Sequence, residues 1–130
     1  MTHKDLVKGW VYVKDQENYS KTDVWKFITP NAEGKFVGDC EDFALTWLAI
    51  TEGSALKAVW SLMTGRRKLW YVLTKKGEGH AVLQMGQNIY VDNWSRRETT
   101  RKFMESMGHQ FQFVISRRML LRQLIKGLFA

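Results

Sequence analysis

The sequence predicts an α+β fold, with helices in the first half of the chain and an antiparallel sheet in the second. Apolar residues Phe43, Ala44, Trp47, Leu48 and Ile50 recur at helical spacing, whereas short β-branched or aromatic runs broken by glycines follow from Leu69 onward. No repeat, low-complexity tract or Pro/Gly/Ser-rich linker interrupts the 130 residues, and Pro30 is the one proline. With 45% apolar residues the chain can bury one core without disulfide or metal staples, so residues 1–130 read as a single domain.

Asp5 to Tyr12 reads as a helix through Leu6, Trp10 and Val11, and Tyr19 to Ile28 as a second short helix that Pro30 stops. Asn31 to Gly38 reads as a loop. The strongest helical signal starts at Asp39, a suitable N-cap, and stops at Gly53; another pattern, Ala55, Val59, Leu62 and Met63, ends at Gly65. Strands are expected over Leu69 to Leu73, Ala81 to Met85, Ile89 to Val91 and Phe111 to Ile115, with a basic helical segment from Arg96 to Ser106 between the last two. The chain then ends in a helix placing Leu120, Leu121, Leu124, Ile125 and Leu128 on one face, with Arg118, Arg122 and Lys126 elsewhere.

The net charge of +7 is concentrated beyond Trp94, in Arg96, Arg97, Arg101, Lys102, Arg117, Arg118, Arg122 and Lys126. Such a region favours an anionic partner, although no RNA-recognition, zinc-finger or basic-zipper pattern accompanies it. A single cysteine cannot form an internal disulfide, and the start Met-Thr-His-Lys-Asp lacks the order of a secretory signal. Apolar runs fall far short of the roughly 18 to 20 residues that cross a bilayer. The expectation is a cytoplasmic monomer, acting in a phage or its host.

Cys40 lies in Gly38-Asp39-Cys40-Glu41-Asp42-Phe43-Ala44, at the first turn of the best helix, where unpaired N–H groups and the helix dipole favour a thiolate. A lone cysteine is also often an inert core residue. The downstream pattern separates these readings. His80 opens one strand and Asp92 closes the next, and strand alternation lets them share a face. Pairing His80 with Asp92, Val82 with Tyr90 and Gln84 with Asn88 leaves Ala81, Leu83, Ile89 and Val91 as a uniformly apolar opposite face. A one-residue slip would separate the histidine from the carboxylate.

The roles are then those of an activated thiol: Cys40 as nucleophile, His80 as base and Asp92 orienting the imidazole. The Cys40 N–H supplies one oxyanion donor; Trp25, Tyr19 and Gln16 lie upstream as sources of a second, with Trp25 preferred. His109 is the rival base, but it follows Gly108 and precedes an alternating strand, so a turn or edge role is expected. Gly-x-Ser-x-Gly and Walker A motifs are absent, and His3, His80, His109 and Cys40 lack zinc-site spacing.

With these residues in place, the chain resembles the bacterial transglutaminase-like cysteine proteinases of the LapG-like family. The motifs follow in order: Asp23-Val24-Trp25, the Gly38–Ala44 segment around Cys40, Leu69-Trp70-Tyr71-Val72, Gly79-His80-Ala81-Val82-Leu83 and Tyr90-Val91-Asp92-Asn93. The resemblance implies a papain-like fold and cleavage of a protein or peptide amide through a thioester. It also implies calcium near the active site, held here by Asp39 and Glu41. Asp39, Glu41 and Asp42 flanking the thiol would oppose its ionisation, and a cation would relieve that. The segment between Gly53 and Gly65 and the basic C-terminal region depart from the family pattern. Deamidation or acyl transfer would use the same chemistry with a different resolving nucleophile. The reading of a different class is a binding module that uses the basic C-terminal face.

Overall fold

The computed structural model describes residues 1–12 and 25–128 of the chain. Its first helix, α1 (His3–Gly9), starts at a capping box: the Asp5 N–H donates to the Thr2 hydroxyl and the Thr2 N–H to the Asp5 carboxylate. The helix stops earlier than its apolar spacing predicts. A side chain at Gly9 would collide with the Gly34 carbonyl, so the chain passes close there and leaves the helix extended. Strand β1 (Trp10–Tyr12) pairs in parallel with β2 (Phe36–Gly38), Trp10 opposite Phe36 and Tyr12 opposite Gly38. The first of these segments is helical in the sequence reading and the second a loop; what decides is the distant partner, which local periodicity does not contain.

Of the expected helix from Tyr19 to Ile28, residues 19–24 lie outside the described residues, and 25–28 are irregular. That irregular segment is tied to the next helix by its backbone. The Lys26 N–H donates to Asp42 Oδ1 at 2.7 Å and the Ile28 N–H to Thr46 Oγ1 at 2.9 Å.

Helix α2 (Cys40–Glu52) has the predicted ends, Asp39 as N-cap in a second capping box and Gly53 left-handed at φ 94°. Phe43, Ala44 and Leu48 are fully buried in its core face, and each large apolar side chain removed from water contributes about 1.5–3 kcal/mol. Helix α3 (Ala55–Met63) is capped by Ser54 and packs into the same core through Ala58 and Leu62, while Leu56 and Trp60 stay exposed.

The second half supplies β3 (Lys68–Leu73), β4 (Gly79–Gly86), β5 (Ile89–Val91), α4 (Arg101–Ser106), β6 (Gln110–Val114) and α5 (Arg117–Leu128). The strands form a four-stranded antiparallel sheet in the order β5-β4-β3-β6, so the fold is α+β as the element pattern predicts. The basic segment from Arg96 is helical only from Arg101; ahead of it Thr99 pairs with Tyr90 in an isolated bridge.

The β4–β5 register differs from the expected one by two residues. Leu83 faces Val91 and Gln84 faces Tyr90, and a bulge then sets Gly86 opposite Ile89. An even displacement keeps every side chain on its face, so His80 and Asp92 still share one. The bulge turns out Ile89, which is 43% exposed rather than in the core. The histidine face is not simply polar either: Val72, Val82, Tyr90 and Met104 form a second small core on it.

Helix α5 is rotated from its predicted orientation. Leu120, Gln123 and Gly127 face inward, whereas Leu121, Ile125 and Leu128 are exposed. A Cβ at Gly127 would overlap the Trp25 carbonyl, so the single glycine of the helix, not the leucine face, makes the close approach. Among the described residues no helix is long and apolar enough to cross a membrane.

Candidate active site

Asp92 sits just past the end of β5 in a tight turn, where its carboxylate is wholly buried. Oδ1 accepts from the Ser95 N–H at 2.7 Å and the Trp94 N–H at 3.2 Å. Oδ2 accepts from His80 Nε2 at 2.7 Å and from His109 Nε2 at 2.8 Å. Burial would raise the carboxyl pKa, but the hydrogen bonds from His109 and His80 outweigh it and hold the group well below the usual carboxylate range. An ionised carboxylate only accepts, so both imidazoles carry their proton on Nε2.

His80 is the second residue of β4, opposite Val72, and is 5% exposed. With Nε2 held by Asp92, its Nδ1 makes no hydrogen bond among the described residues. That nitrogen is the one free to accept a proton.

His109 lies where the sequence reading puts it, just after a turn and ahead of the edge strand β6. Its side chain is nonetheless buried, with the residue 2% exposed, on the same carboxylate oxygen as His80, a partner the sequence reading did not give it. Gly108 delivers it: φ is 95°, and a Cβ there would lie 2.7 Å from Lys75 Cβ, so only glycine makes the turn. Trp94 covers both rings, 5.0 Å from His80 and 4.9 Å from His109, and the two imidazoles are 4.9 Å apart. The signal in the sequence was a glycine-histidine pair directly before a strand, which carries no information about its partner.

His80, Asp92 and His109 bring two nitrogens and one oxygen within 4.8 Å of one another, a donor set that suits a transition metal. Their spacing is nonetheless that of hydrogen bonds. A metal on His109 Nε2 would also force the proton onto Nδ1, which is buried without a partner and would become an orphan donor. The cluster is therefore a hydrogen-bonded network.

Cys40 is the first residue of α2 and is 7% exposed. Its thiol donates to Glu41 Oε2 at 3.1 Å, and the Ala81 N–H lies near enough to the sulfur to favour the thiolate slightly. The sulfur thus lies beside the peptide joining His80 to Ala81. No hydrogen bond joins Cys40 to His80 among the described residues. The expected thiolate bias of the helix tip is overridden: burial first, then the charges of Glu41 and Asp39, push the thiol well up. A helix terminus contributes only about 0.3–1 kcal/mol, too little against burial and two neighbouring carboxylates.

Asp39 caps α2, accepting from the Asp42 N–H at 3.2 Å, and Glu41 accepts from the thiol. Both are hard oxygen donors of the kind calcium takes, but among the described residues neither belongs to a cluster of three or more ionisable metal-ligating side chains. Trp25 is 2% exposed within the main core, beside α5; Gln16 and Tyr19 lie outside the described residues. A residue missed from sequence is Tyr12, which the β1–β2 pairing sets opposite Gly38. Although half exposed, its hydroxyl pKa is pushed up to about 12 by desolvation and then by the nearby Cys40, once ionised, and the Asp39 and Glu41 carboxylates.

Compared with models of known protein families and with curated proteins, the chain matches none.

Proposed function

We propose that the chain is a papain-like cysteine hydrolase of the transglutaminase-like type, acting on protein or peptide amides. The observation that carries this reading is the buried His80–Asp92 hydrogen bond of 2.7 Å, which leaves Nδ1 of His80 free on the strand residue next to Ala81, whose N–H lies near Cys40 Sγ. His80 Nδ1 takes the thiol proton as Cys40 Sγ attacks the carbonyl carbon, and Asp92 stabilises the imidazolium through Nε2. The carbonyl oxygen becomes an oxyanion facing the Cys40 N–H, which has no intrahelical partner at the first position of α2. Trp25 is the proposed source of a second donor. Collapse breaks the C–N bond, the amine leaves with the proton from His80, and water then hydrolyses the thioester. An amine in place of water gives acyl transfer, and a glutamine side chain as substrate gives deamidation.

Calcium held by Asp39 and Glu41 would lower the thiol pKa by offsetting the charges that raise it. Calorimetric titration of calcium into the protein and into Asp39→Asn tests this: heat lost in the variant is expected, and no heat with the wild type refutes it. The test of the enzyme reading is covalent trapping of Cys40 by a library of peptide electrophiles, read by intact mass. Adducts that vanish in Cys40→Ala and fall at least tenfold in His80→Gln are expected; adducts indifferent to His80 would count decisively against it.

A second reading rests on α5. Its exposed face interleaves Arg118, Arg122 and Lys126 with Leu121 and Ile125, and the helix has no acidic residue. That face suits an anionic partner, alongside or instead of catalysis.

A further inference from the structure

Two imidazoles on one carboxylate oxygen are more than an orienting pair needs. Oδ2 of Asp92 has two in-plane lone pairs; His80 takes one at 2.7 Å and His109 the other at 2.8 Å. Oδ1 is fixed by the Ser95 and Trp94 N–H groups, so no rotation of the carboxylate is free. From this geometry we infer that His109 is a positioning residue: it holds Asp92 Oδ2 so that His80 keeps its proton on Nε2 and leaves Nδ1 unprotonated. The inference rests on the cysteine-hydrolase reading.

Without the second donor, one lone pair of a buried anion is left unpaired, which favours rotation of the carboxylate or entry of water. Either change loosens the one bond that sets the tautomer of His80. The ring contacts act in the same sense, because Trp94 covers both imidazoles and His80 packs against His109. His109 itself is screened from a substrate. Its side chain is fully buried, and its free Nδ1 faces no polar partner among the described residues, so it touches no reacting atom.

The experiment combines imidazole nitrogen–proton correlation spectra with the rate of Cys40 alkylation by iodoacetamide at pH 7.5. In the wild type, both His80 and His109 are expected as Nε2–H tautomers with hydrogen-bonded, downfield protons. His109→Phe removes the donor: His80 should then populate both tautomers and the alkylation rate should fall about five- to tenfold. His109→Gln places an amide N–H near the same point and should restore the rate to within about twofold of wild type. A folded His109→Phe protein with a single His80 tautomer and an unchanged rate would overturn the inference. If that variant fails to fold, the wild-type spectrum decides, since a proton on Nδ1 of His109 is incompatible with the proposal. The spectra do not depend on activity. An alkylation rate indifferent to His80→Gln, with both tautomers as described, would therefore overturn the hydrolase reading while leaving the shared-carboxylate geometry standing.

Discussion

Replacing Asp92 with asparagine keeps the shape of the most heavily bonded side chain in the site and removes its charge. The amide can accept on one side only, so its NH2 group must face either the two imidazole N–H groups or the Ser95 and Trp94 N–H groups. Breaking a buried, charge-assisted set of this kind costs about 3–5 kcal/mol. With an unfolding entropy of about 2.1 cal/mol/K per residue, the 130-residue chain should lose roughly 11–18 °C in Tm at pH 7. The pH dependence has a definite sign. The folded-state pKa of Asp92 is depressed, so its contribution is complete above the unfolded value near 3.9 and is lost as pH falls through that value toward the folded one. At pH 3 the wild type should have lost about 1 kcal/mol of it, while asparagine has nothing to lose, so the gap narrows by a few degrees. Thermal unfolding of both proteins at pH 7 and pH 3 measures this. A gap below about 3 °C at pH 7, or one that widens in acid, would refute the view that the bonds to Asp92 are strong and ionic.

Three further variants probe the site and the basic helix α5. Glu41→Gln removes a charge that raises the Cys40 thiol pKa and should speed iodoacetamide labelling at pH 7.5 about three- to tenfold, with the midpoint of the rate–pH profile moving down; a slower reaction would show that Glu41 serves as a base. Gly108→Ala places a side chain at φ 95° against Lys75 and should cost about 1–3 kcal/mol, read as a fall in Tm together with loss of the downfield His109 proton. Arg118→Glu with Arg122→Glu should abolish salt-dependent binding of α5 to heparin, used as a polyanionic probe, and leave Cys40 labelling within about twofold of wild type; binding unchanged by the charge reversal would remove the anionic-partner reading.

Much of the fold was legible because its signals are local. Asp39 and Gly53 bound α2, Ser54 and Gly65 bound α3, and glycine-separated runs mark the strands. The misreadings share a different cause, a partner distant in sequence. Trp10 to Tyr12 becomes a strand because Phe36 to Gly38 lies alongside, and α5 turns because Gly127 admits the Trp25 carbonyl. The site divides in the same way. His80 and Asp92 could be placed on one face by parity alone, which survives the two-residue change of register. His109 could not, because β6 reaches Asp92 by way of β3 and a loop whose path no periodicity describes.

The fold also constrains where sulfur and imidazole can meet. Cys40 belongs to the main core with Ala81 and Leu83, whereas His80 faces the opposite side of β4 with Val72 and Val82. A hydrogen bond cannot run through the strand, so the two groups can approach only around its start, where His80 follows Gly79. That end is kept narrow by Tyr71: a Cβ on Gly79 would lie 2.8 Å from the Tyr71 hydroxyl and 2.9 Å from its ring. Gly79→Ala must therefore move either Tyr71 or the first residues of β4, and a shift of an ångström there is enough to misalign a proton transfer. Trapping of Cys40 by peptide electrophiles should fall about tenfold or more in this variant, while the β3–β4 pairing beyond Val72 keeps most of the stability. Undiminished trapping would mean that the thiol loses its proton by a route other than the end of β4, and Glu41, already bonded to the sulfur, would then be the group to examine.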